Sequence, residues 1–173
     1  MSNNIVNKMR AKIKQGGVRP NKFRVDMVFP SVVATDLTEE CSFLIKGAEL
    51  PGQTFGKIQV PIRGRNVNVK GEREADGTLD LTILNVGFEI YDAFHEWLAY
   101  MEAMAETIGE DDPNAYIVTF QVHQLNARDE PIKTFEFYNA WPESIGTISL
   151  DTGSTNTIEE FSVTMSYDYF EIL

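Results

Sequence analysis

The sequence contains very few of the residues that form disulfides or bind metal ions, with one cysteine and two histidines among 173 residues. A single cysteine, Cys41, cannot form an internal disulfide, so the chain does not have the composition of a disulfide-stapled secreted domain. His95, His123 and Cys41 are too few for a zinc site of the usual Cys/His composition. We expect Cys41 to be an inert residue in an apolar strand and both histidines to be surface or packing residues.

Long apolar runs are also missing, and basic residues almost disappear after residue 73. No run approaches the ~20 apolar residues of a membrane-spanning helix, so we expect no membrane-spanning segment. Residues 1–73 carry thirteen Lys and Arg against six Asp and Glu, whereas residues 74–173 carry two against twenty. The net charge of −11 repels nucleic-acid phosphates, which argues against nucleic-acid binding as the main function. One basic and one acidic portion favour head-to-tail association of identical copies.

Motifs of enzymes occur only as incomplete fragments. Residues 52–58 resemble a phosphate-binding loop, but three residues separate the two glycines in place of four, and Ile58 stands where a Ser or Thr must bind magnesium. His95 and Glu96 begin like a zinc-protease helix, but Ala99 occupies the position of the second histidine. The composition leaves room for a Ser-His-Asp triad, although no Gly-x-Ser-x-Gly elbow exists. We therefore predict a protein that is not an enzyme and has no cofactor and no metal site.

Alternation of apolar and polar residues is the dominant pattern that the sequence does contain. Such alternation gives a strand one buried and one wet face, which is typical of antiparallel sheets. The last strand is the clearest, because Phe161, Val163, Met165, Tyr167 and Tyr169 alternate with short polar residues. The predicted strands are Lys22–Phe29, Cys41–Lys46, Phe55–Ile62, Arg65–Lys70, Leu79–Ile83, Tyr116–Val122, a strand around Phe135 and Phe137, Ile145–Leu150 and Phe161–Tyr169, with a loop over Pro30–Glu40.

One helix is predicted between the strands. Apolar residues recur every three or four positions from Ile90 to Ile108, with Asn85 as a candidate N-cap and Gly109 as a stop signal. We expect this helix, with Phe94 and Trp97, to pack against a sheet. The fold class is thus mainly β (α+β), an antiparallel β-sandwich or barrel with one packed α-helix. Residues 1–20 are expected to form a basic N-terminal arm, either a frayed terminus or a segment that orders on a partner, and residues 21–173 a single domain.

A set of short motifs occurs in a fixed order along the chain. The motifs are Arg19-Pro20-Asn21-Lys22-Phe23, Leu50-Pro51-Gly52, Val67-Asn68-Val69, Gly71-Glu72-Arg73, Asp80-Leu81-Thr82-Ile83-Leu84-Asn85, Trp141-Pro142, Phe161-Ser162-Val163-Thr164 and Asp168-Tyr169. This ordered set resembles the tail tube proteins of contractile-tailed bacteriophages of the T-even type, which are related to the inner tube proteins of type VI secretion systems and pyocins. The similarity spans about residues 19–170, and the N-terminal arm and an insert around 30–40 depart from it.

The resemblance implies a structural subunit of a virion tail, assembled in the host cytoplasm. Family members form hexameric rings whose inner strands close a β-barrel, and the rings stack into a hollow tube inside a contractile sheath. Expected partners are further copies of the chain, the sheath, the baseplate and the tail terminator, with DNA passing through the channel without specific binding. Two alternatives are the inner tube of a type VI or extracellular contractile injection system and a tube-fold baseplate or tail-completion protein.

Two groups of residues are predicted to function in this assembly. The first group is basic, lies in the segment 47–73 of low apolar content, and is expected at contacts between subunits or rings. It comprises Lys57, Arg63, Arg65, Lys70 and Arg73. The second group is expected to line the channel, because a channel wall that lets DNA pass must be neutral or acidic and residues 74–173 carry most of the acids. It comprises Thr119, Gln121, Thr134, Glu136, Ser162, Thr164, Ser166 and Asp168.

Overall fold

Nine strands and three α-helices make up the regular structure of the described residues, apart from two short 3-10 turns. The computed structural model describes residues 2–13, 17–33, 35–74, 77–106 and 112–173, without the side chains of 2–4, 35, 73–74 and 105–106. The strands are β1 (Phe23–Asp26), β2 (Ile45–Ala48), β3 (Thr54–Ile62), β4 (Arg65–Glu74), β5 (Thr78–Leu84), β6 (Val118–Leu125), β7 (Pro131–Ile145), β8 (Glu160–Ser166) and β9 (Tyr169–Ile172). The helices are α1 (Ser2–Lys12), α2 (Thr38–Leu44) and α3 (Glu89–Glu106).

Two antiparallel sheets share the long strand β7. Its first part pairs with β6 on one side and β9 on the other, and β1 extends this sheet beyond β6. We call this sheet I. The last part of β7 pairs with β8, and β5 and β2 follow in order. We call this sheet II. The predicted antiparallel, mainly β fold is confirmed.

A single apolar core lies between the inward faces of the two sheets, with α3 packed on it. Phe120, Phe137 and Val122 come from sheet I, and Leu81, Ile83 and Val163 from sheet II. On α3 the spacing of Ile90, Phe94 and Trp97 places one face of the helix on this core, as the apolar periodicity predicted. The inward faces of both sheets are thus buried together, and their outer faces point away from each other.

The predicted strand Cys41–Lys46 is wrong over Cys41–Leu44, and the predicted loop Pro30–Glu40 is wrong from Thr38, where α2 begins. A 3-10 turn covers Thr35–Leu37, and α2 runs to Leu44 before β2 begins. Cys41 and Leu44 are buried at helical spacing, whereas Phe43, which would share a strand face with Cys41, is 88% exposed. The apolar run misled the prediction because short apolar runs occur in strands and buried helices alike. Burial raises the pKa of the Cys41 thiol to about 12, so the residue is inert as expected.

Two helices therefore accompany the one that was predicted, and the first strand is shorter than predicted. β1 ends at Asp26, because the next backbone N–H, of Met27, donates to the hydroxyl of Ser42 on α2 at 2.9 Å rather than to a strand. The Ser42 hydroxyl in turn donates to the carbonyl of Thr38 at 2.9 Å. This short bridge anchors α2 against the end of sheet I.

The alternation of the last strand breaks where the chain leaves sheet II for sheet I. After Tyr167 the chain bends at Asp168, so that Phe170 is buried and Tyr169 faces outward, contrary to the prediction. The predicted strand Ile145–Leu150 is also wrong, because Ile145 is the last residue of β7 and no strand follows it before β8.

The start of α3 lies four residues after its predicted cap. Asn85 accepts a hydrogen bond from the N–H of Phe88 at 3.1 Å in a turn, and the first helical hydrogen bond is accepted by Phe88. The candidate stop signal Gly109 lies outside the described residues.

Candidate assembly surfaces

Strands β3 and β4 form a hairpin that pairs with no other strand in the described ranges. Residues that lie directly opposite each other share a face, and the pairs Ile58–Val69 and Val60–Val67 alternate with polar pairs. One face of the hairpin is therefore apolar, and its side chains are 39–54% exposed. We call it the apolar hairpin face; it consists of Ile58, Val60, Ile62, Val67 and Val69. Two-stranded hairpins are marginal alone, and contiguous exposed apolar surface marks an interaction site.

The five predicted basic residues lie at three places on this hairpin. Lys57 and Lys70 are directly opposite each other on the polar face, and the Lys70 ammonium lies 4.3 Å from the centre of the Phe55 ring. Like charges in this position repel each other, so the pair suits an acidic partner. Arg63 forms the tip turn with Gly64, and Arg65 opens β4 directly opposite Ile62, so that it borders the apolar hairpin face at the tip. The backbone of Arg73 pairs with Phe55 at the base, and its side chain lies outside the described residues.

The base of the hairpin depends on a close approach of two glycines. Gly71 lies beside Gly56, at an irregularity in the pairing of β3 and β4. A Cβ atom at Gly71 would lie 2.7 Å from the carbonyl oxygen of Gly56, closer than non-bonded atoms approach. Only glycine fits this position without a shift of the backbone.

We expect Gly71→Ala to loosen the hairpin base. Overpacking costs about 1–3 kcal/mol, which corresponds to roughly 5- to 150-fold faster hydrogen exchange of the amides of β3 and β4. Hydrogen exchange followed by mass spectrometry measures this rate. Gly52→Ala is the matched control, because a Cβ there meets nothing within 4 Å. Equal exchange rates in the two variants would show that the close approach does not matter.

Four predicted channel residues lie on the outer face of sheet I. Gln121 and Glu136 are directly opposite each other, and the Gln121 amide donates to the Glu136 carboxylate at 2.8 Å. The Tyr138 hydroxyl donates to the same carboxylate. This hydrogen bond is the main reason that the pKa of Tyr138 is raised to about 12 and a reason that the pKa of Glu136 is lowered. Thr119 and Thr134 lie on the same face.

The sheet I face carries two further features, of which only the first was not predicted. Tyr138 stacks on Tyr169 with ring centres 4.7 Å apart, so that two aromatic rings occupy this outer surface. His123 is buried on this face, with its ring nitrogens 2.8 Å from the Thr134 hydroxyl and 3.1 Å from the Asp26 carboxylate. His123 is thus a packing residue within a polar network, one of the two roles expected for it.

Three other predicted channel residues lie on the outer face of sheet II. Ser162, Thr164 and Ser166 are directly opposite Thr82, Asp80 and Thr78 of β5, so the two strands present a continuous surface of short polar side chains. The Thr164 hydroxyl donates to the Asp80 carboxylate at 2.6 Å. The lysine at the edge of this sheet, Lys46, pairs with Glu160. Asp168 lies in the bend between β8 and β9, where it accepts a hydrogen bond from Asn139 at 2.7 Å.

The eight predicted channel residues therefore do not form one surface. Those on sheet I and those on sheet II project from opposite sides of the common core, so a single channel can be lined by only one of the two groups. Sequence alternation could assign each residue to a wet face, but it could not assign that face to one of two sheets.

Sheet II has an unpaired edge on each side among the described residues. β2 pairs only with β5, and the last part of β7, from Trp141 to Ile145, pairs only with β8. Unpaired edges expose backbone N–H and C=O groups that can pair with a further strand.

The described residues contain no cluster of three or more His, Cys, Asp and Glu side chains arranged to hold a metal ion. Among the helices of the described ranges, none combines the length and the hydropathy that crossing a membrane requires.

Two solved structures share this fold. A chain in the cryo-EM structure of the anti-feeding prophage baseplate, symmetrised sixfold, is similar with a TM-score of 0.65 at 17% identity, over 91% of this chain and 95% of that one. A chain in the sheath-tube complex of the PVC extracellular contractile injection system is similar with a TM-score of 0.63 at 15% identity, over 94% and 96%. At these identities the likeness shows a shared fold.

Sequence comparison places the chain within a family. Residues 18–173 match the family described as phage tail tube protein. The chain is 32% identical over 158 residues to tail tube protein gp19 of Enterobacteria phage T4, covering 88% of this chain and 90% of the relative. It is 28% identical over 166 residues to the tail tube protein of Serratia phage KSP90, covering 94% and 93%. The chain belongs to the phage tail tube protein family and is a structural subunit of the phage tail, as the sequence motifs indicated.

Proposed function

We propose that six copies of this chain close into a ring, that the rings stack into a hollow tube inside a contractile sheath, and that DNA passes through the tube during ejection. The role is structural, without catalysis. The observation that carries the proposal is the hairpin of β3 and β4, whose apolar face stays 39–54% exposed to solvent among the described residues and can be covered by a neighbouring copy. The sheath, the baseplate and a tube terminator are the further partners, in line with the sheath, baseplate and tube-terminating cap named for structural relatives.

The ring closes through the free edges of sheet II. The edge strand β2 of one copy lies at the opposite side of the sheet from the last part of β7, so that identical copies can continue the sheet around an axis. A closed ring leaves no exposed edges, which otherwise lead to aggregation.

The outer face of sheet II lines the channel in this proposal. Its short polar side chains, including Ser162, Thr164 and Ser166, form a smooth wall, and its lysine is neutralised by Glu160. Because affinity for DNA grows with each phosphate that a free Lys or Arg neutralises, such a wall lets DNA slide. The sheet I group, Thr119, Gln121, Thr134 and Glu136, then faces outward, and Asp168 lies at the boundary between the sheets.

The hairpin makes the contacts between subunits or rings. Its apolar face packs on a neighbour, and Lys57 and Lys70 form ion pairs with acidic groups of that neighbour. Arg63, Arg65 and Arg73 make further contacts at its tip and base. The acidic residues of 74–173 supply the complementary surface, since that part carries twenty Asp and Glu against two basic residues.

Cysteine labelling of assembled tubes tests which sheet lines the channel. We expect Thr164→Cys to react with a small maleimide but not with a maleimide attached to a polymer wider than the channel, because its side chain faces the lumen. Gln121→Cys on sheet I is the matched control and should react with both reagents. Cys41 can stay in place, since it is fully buried and its thiol pKa is raised to about 12. The reverse labelling pattern would put sheet I at the channel.

A further inference from the structure

Helix α1 carries an apolar stripe that its own subunit leaves exposed. Ile5, Met9 and Ile13 follow one another at four-residue spacing, which aligns them on one side of a helix. Their exposed fractions are 74%, 58% and 49%, and Val6 beside them is also exposed. An apolar stripe of this kind is typical of a helix that binds in a groove of a partner.

The charges of the arm surround this stripe. At 3.6 residues per turn, Arg10 lies on one side of the stripe and Lys8 and Lys12 on the other. Residues 1–20 contain five Lys and Arg and no Asp or Glu. The surface that receives the helix must therefore combine apolar side chains with an acidic border.

The connection between β7 and β8 has both properties. Residues 146–159 form a connection longer than is usual in compact domains, and such connections commonly have a function. They border an open groove of about 640 Å³ in which Leu150 is 82% and Ile158 62% exposed. Asp151, Glu159 and Glu160 line the same groove. Glu160 already pairs with Lys46, so Asp151 and Glu159 supply the acidic border for an incoming helix. Residues 134–173 themselves contain no Lys or Arg.

We propose that α1 of one copy docks in the groove at 146–159 of another copy, with Ile5, Met9 and Ile13 on Leu150 and Ile158 and its basic residues on the acidic border. This inference rests on the proposed tube, because it links copies within that tube. The carbonyl of Arg19 accepts from the Gln124 amide at 2.9 Å, so the chain is anchored to the domain there. The segment 13–18 before this anchor spans roughly 20 Å when extended, which lets α1 extend away from its own domain. The groove and α1 have opposite charges, and each exposes apolar side chains. We therefore infer that α1 of another copy is what binds in the groove.

A membrane surface is the competing partner for a basic amphipathic helix. The stripe of α1 lacks Trp and Phe, which anchor interfacial helices, and the helix has only 11 residues. Binding to anionic lipid is treated below as an outcome of the test.

Crosslinking between two chains that each carry one added cysteine, with the native Cys41 buried, measures the proposed contact. Full-length Met9→Cys and Ile158→Cys are mixed, assembled and treated with a short bismaleimide, and we expect a covalent dimer that contains one copy of each. Asn7→Cys mixed with Ile158→Cys is the matched control, because Asn7 lies on the other side of α1 and should crosslink at least tenfold less. Equal crosslinking from Met9 and Asn7, or none from either, would overturn the inference.

Charge reversal provides the second measurement. The triple variant Lys8→Glu, Arg10→Glu, Lys12→Glu should raise the protein concentration needed for assembly by about tenfold, since it turns three weak, exposed attractions to the acidic border into repulsions. Adding Asp151→Lys and Glu159→Lys to the same chain should restore assembly. An unchanged assembly concentration in the triple variant, together with loss of binding to phosphatidylglycerol vesicles, would identify a lipid surface as the partner instead.

Failure of this inference can be distinguished from failure of the tube itself. Normal sixfold tubes without the Met9–Ile158 crosslink contradict the docking of α1 and leave the proposed function intact. A crosslink that forms only within one chain carrying both cysteines, and never between mixed chains, places the helix on its own subunit and also overturns the inference. Crosslinked copies without any tubes would support the docking and contradict the tube.

Discussion

Replacing Trp97 with alanine is expected to lower the free energy of unfolding of the monomer by about 3–5 kcal/mol. The side chain is completely buried on α3, its ring centre lies 5.8 Å from that of Phe29, and it stacks at 6.2 Å on Phe94. The indole N–H also donates to the carbonyl oxygen of Tyr116 at 3.0 Å, so the substitution removes a partner from that oxygen as well as packing. Denaturant unfolding followed by circular dichroism measures the change.

Two further variants separate the effect of lost packing from the effect of the lost hydrogen bond and provide an exposed control. Trp97→Phe keeps most of the buried ring and removes the hydrogen bond, so it should cost less than Trp97→Ala by about 2 kcal/mol or more. Phe43→Ala is the exposed control, since Phe43 is 88% exposed, and should leave the monomer stability within about 0.5 kcal/mol. A stability change near zero for Trp97→Ala would mean that α3 does not anchor the core.

Placing a charge on the apolar hairpin face should abolish tube assembly without unfolding the subunit. In the double variant Ile58→Asp, Val69→Asp, two carboxylates occupy directly opposite positions of β3 and β4. Burying unpaired charges in a contact with a neighbour costs several kcal/mol per site, enough to prevent assembly at micromolar concentrations. The core should stay intact, because no member of the apolar hairpin face is among the buried core residues. Sedimentation velocity measures assembly, and circular dichroism measures the fold.

The polar face of the same hairpin provides the matched control. Gln59→Asp with Asn68→Asp changes the neighbouring pair on the same two strands, also in directly opposite positions. We expect this control to assemble at no more than a modestly higher protein concentration. If both double variants assemble equally well, the apolar hairpin face is not a contact surface.

Regular periodicity allowed much of the fold to be predicted. The alternation in β5, β6 and β8 and the helical period of α3 reflect one buried face in each element, and the structure buries those faces. Errors occurred where a tertiary contact decides the local conformation. α2 is a helix because Cys41 and Leu44 meet the core while Phe43 does not, and no period could be read from its seven residues.

The assembly surfaces were harder to predict for the same reason. The hairpin was located from its alternation, but its apolar content was judged low, although Ile58, Val60 and Ile62 recur at every second position. Alternation shows that Thr164 and Gln121 face water, yet the bend at Asp168 and the sharing of β7 between two sheets separate them in space. Which wet face a residue occupies depends on long-range pairing that a single sequence does not reveal.

Electron microscopy of the purified full-length chain at high concentration tests the central claim most directly. We predict hollow tubes of stacked rings, each with six copies around an open channel and with the outer face of sheet II toward the channel. Monodisperse monomers that form no tubes, even when baseplate or sheath protein is added, would contradict it.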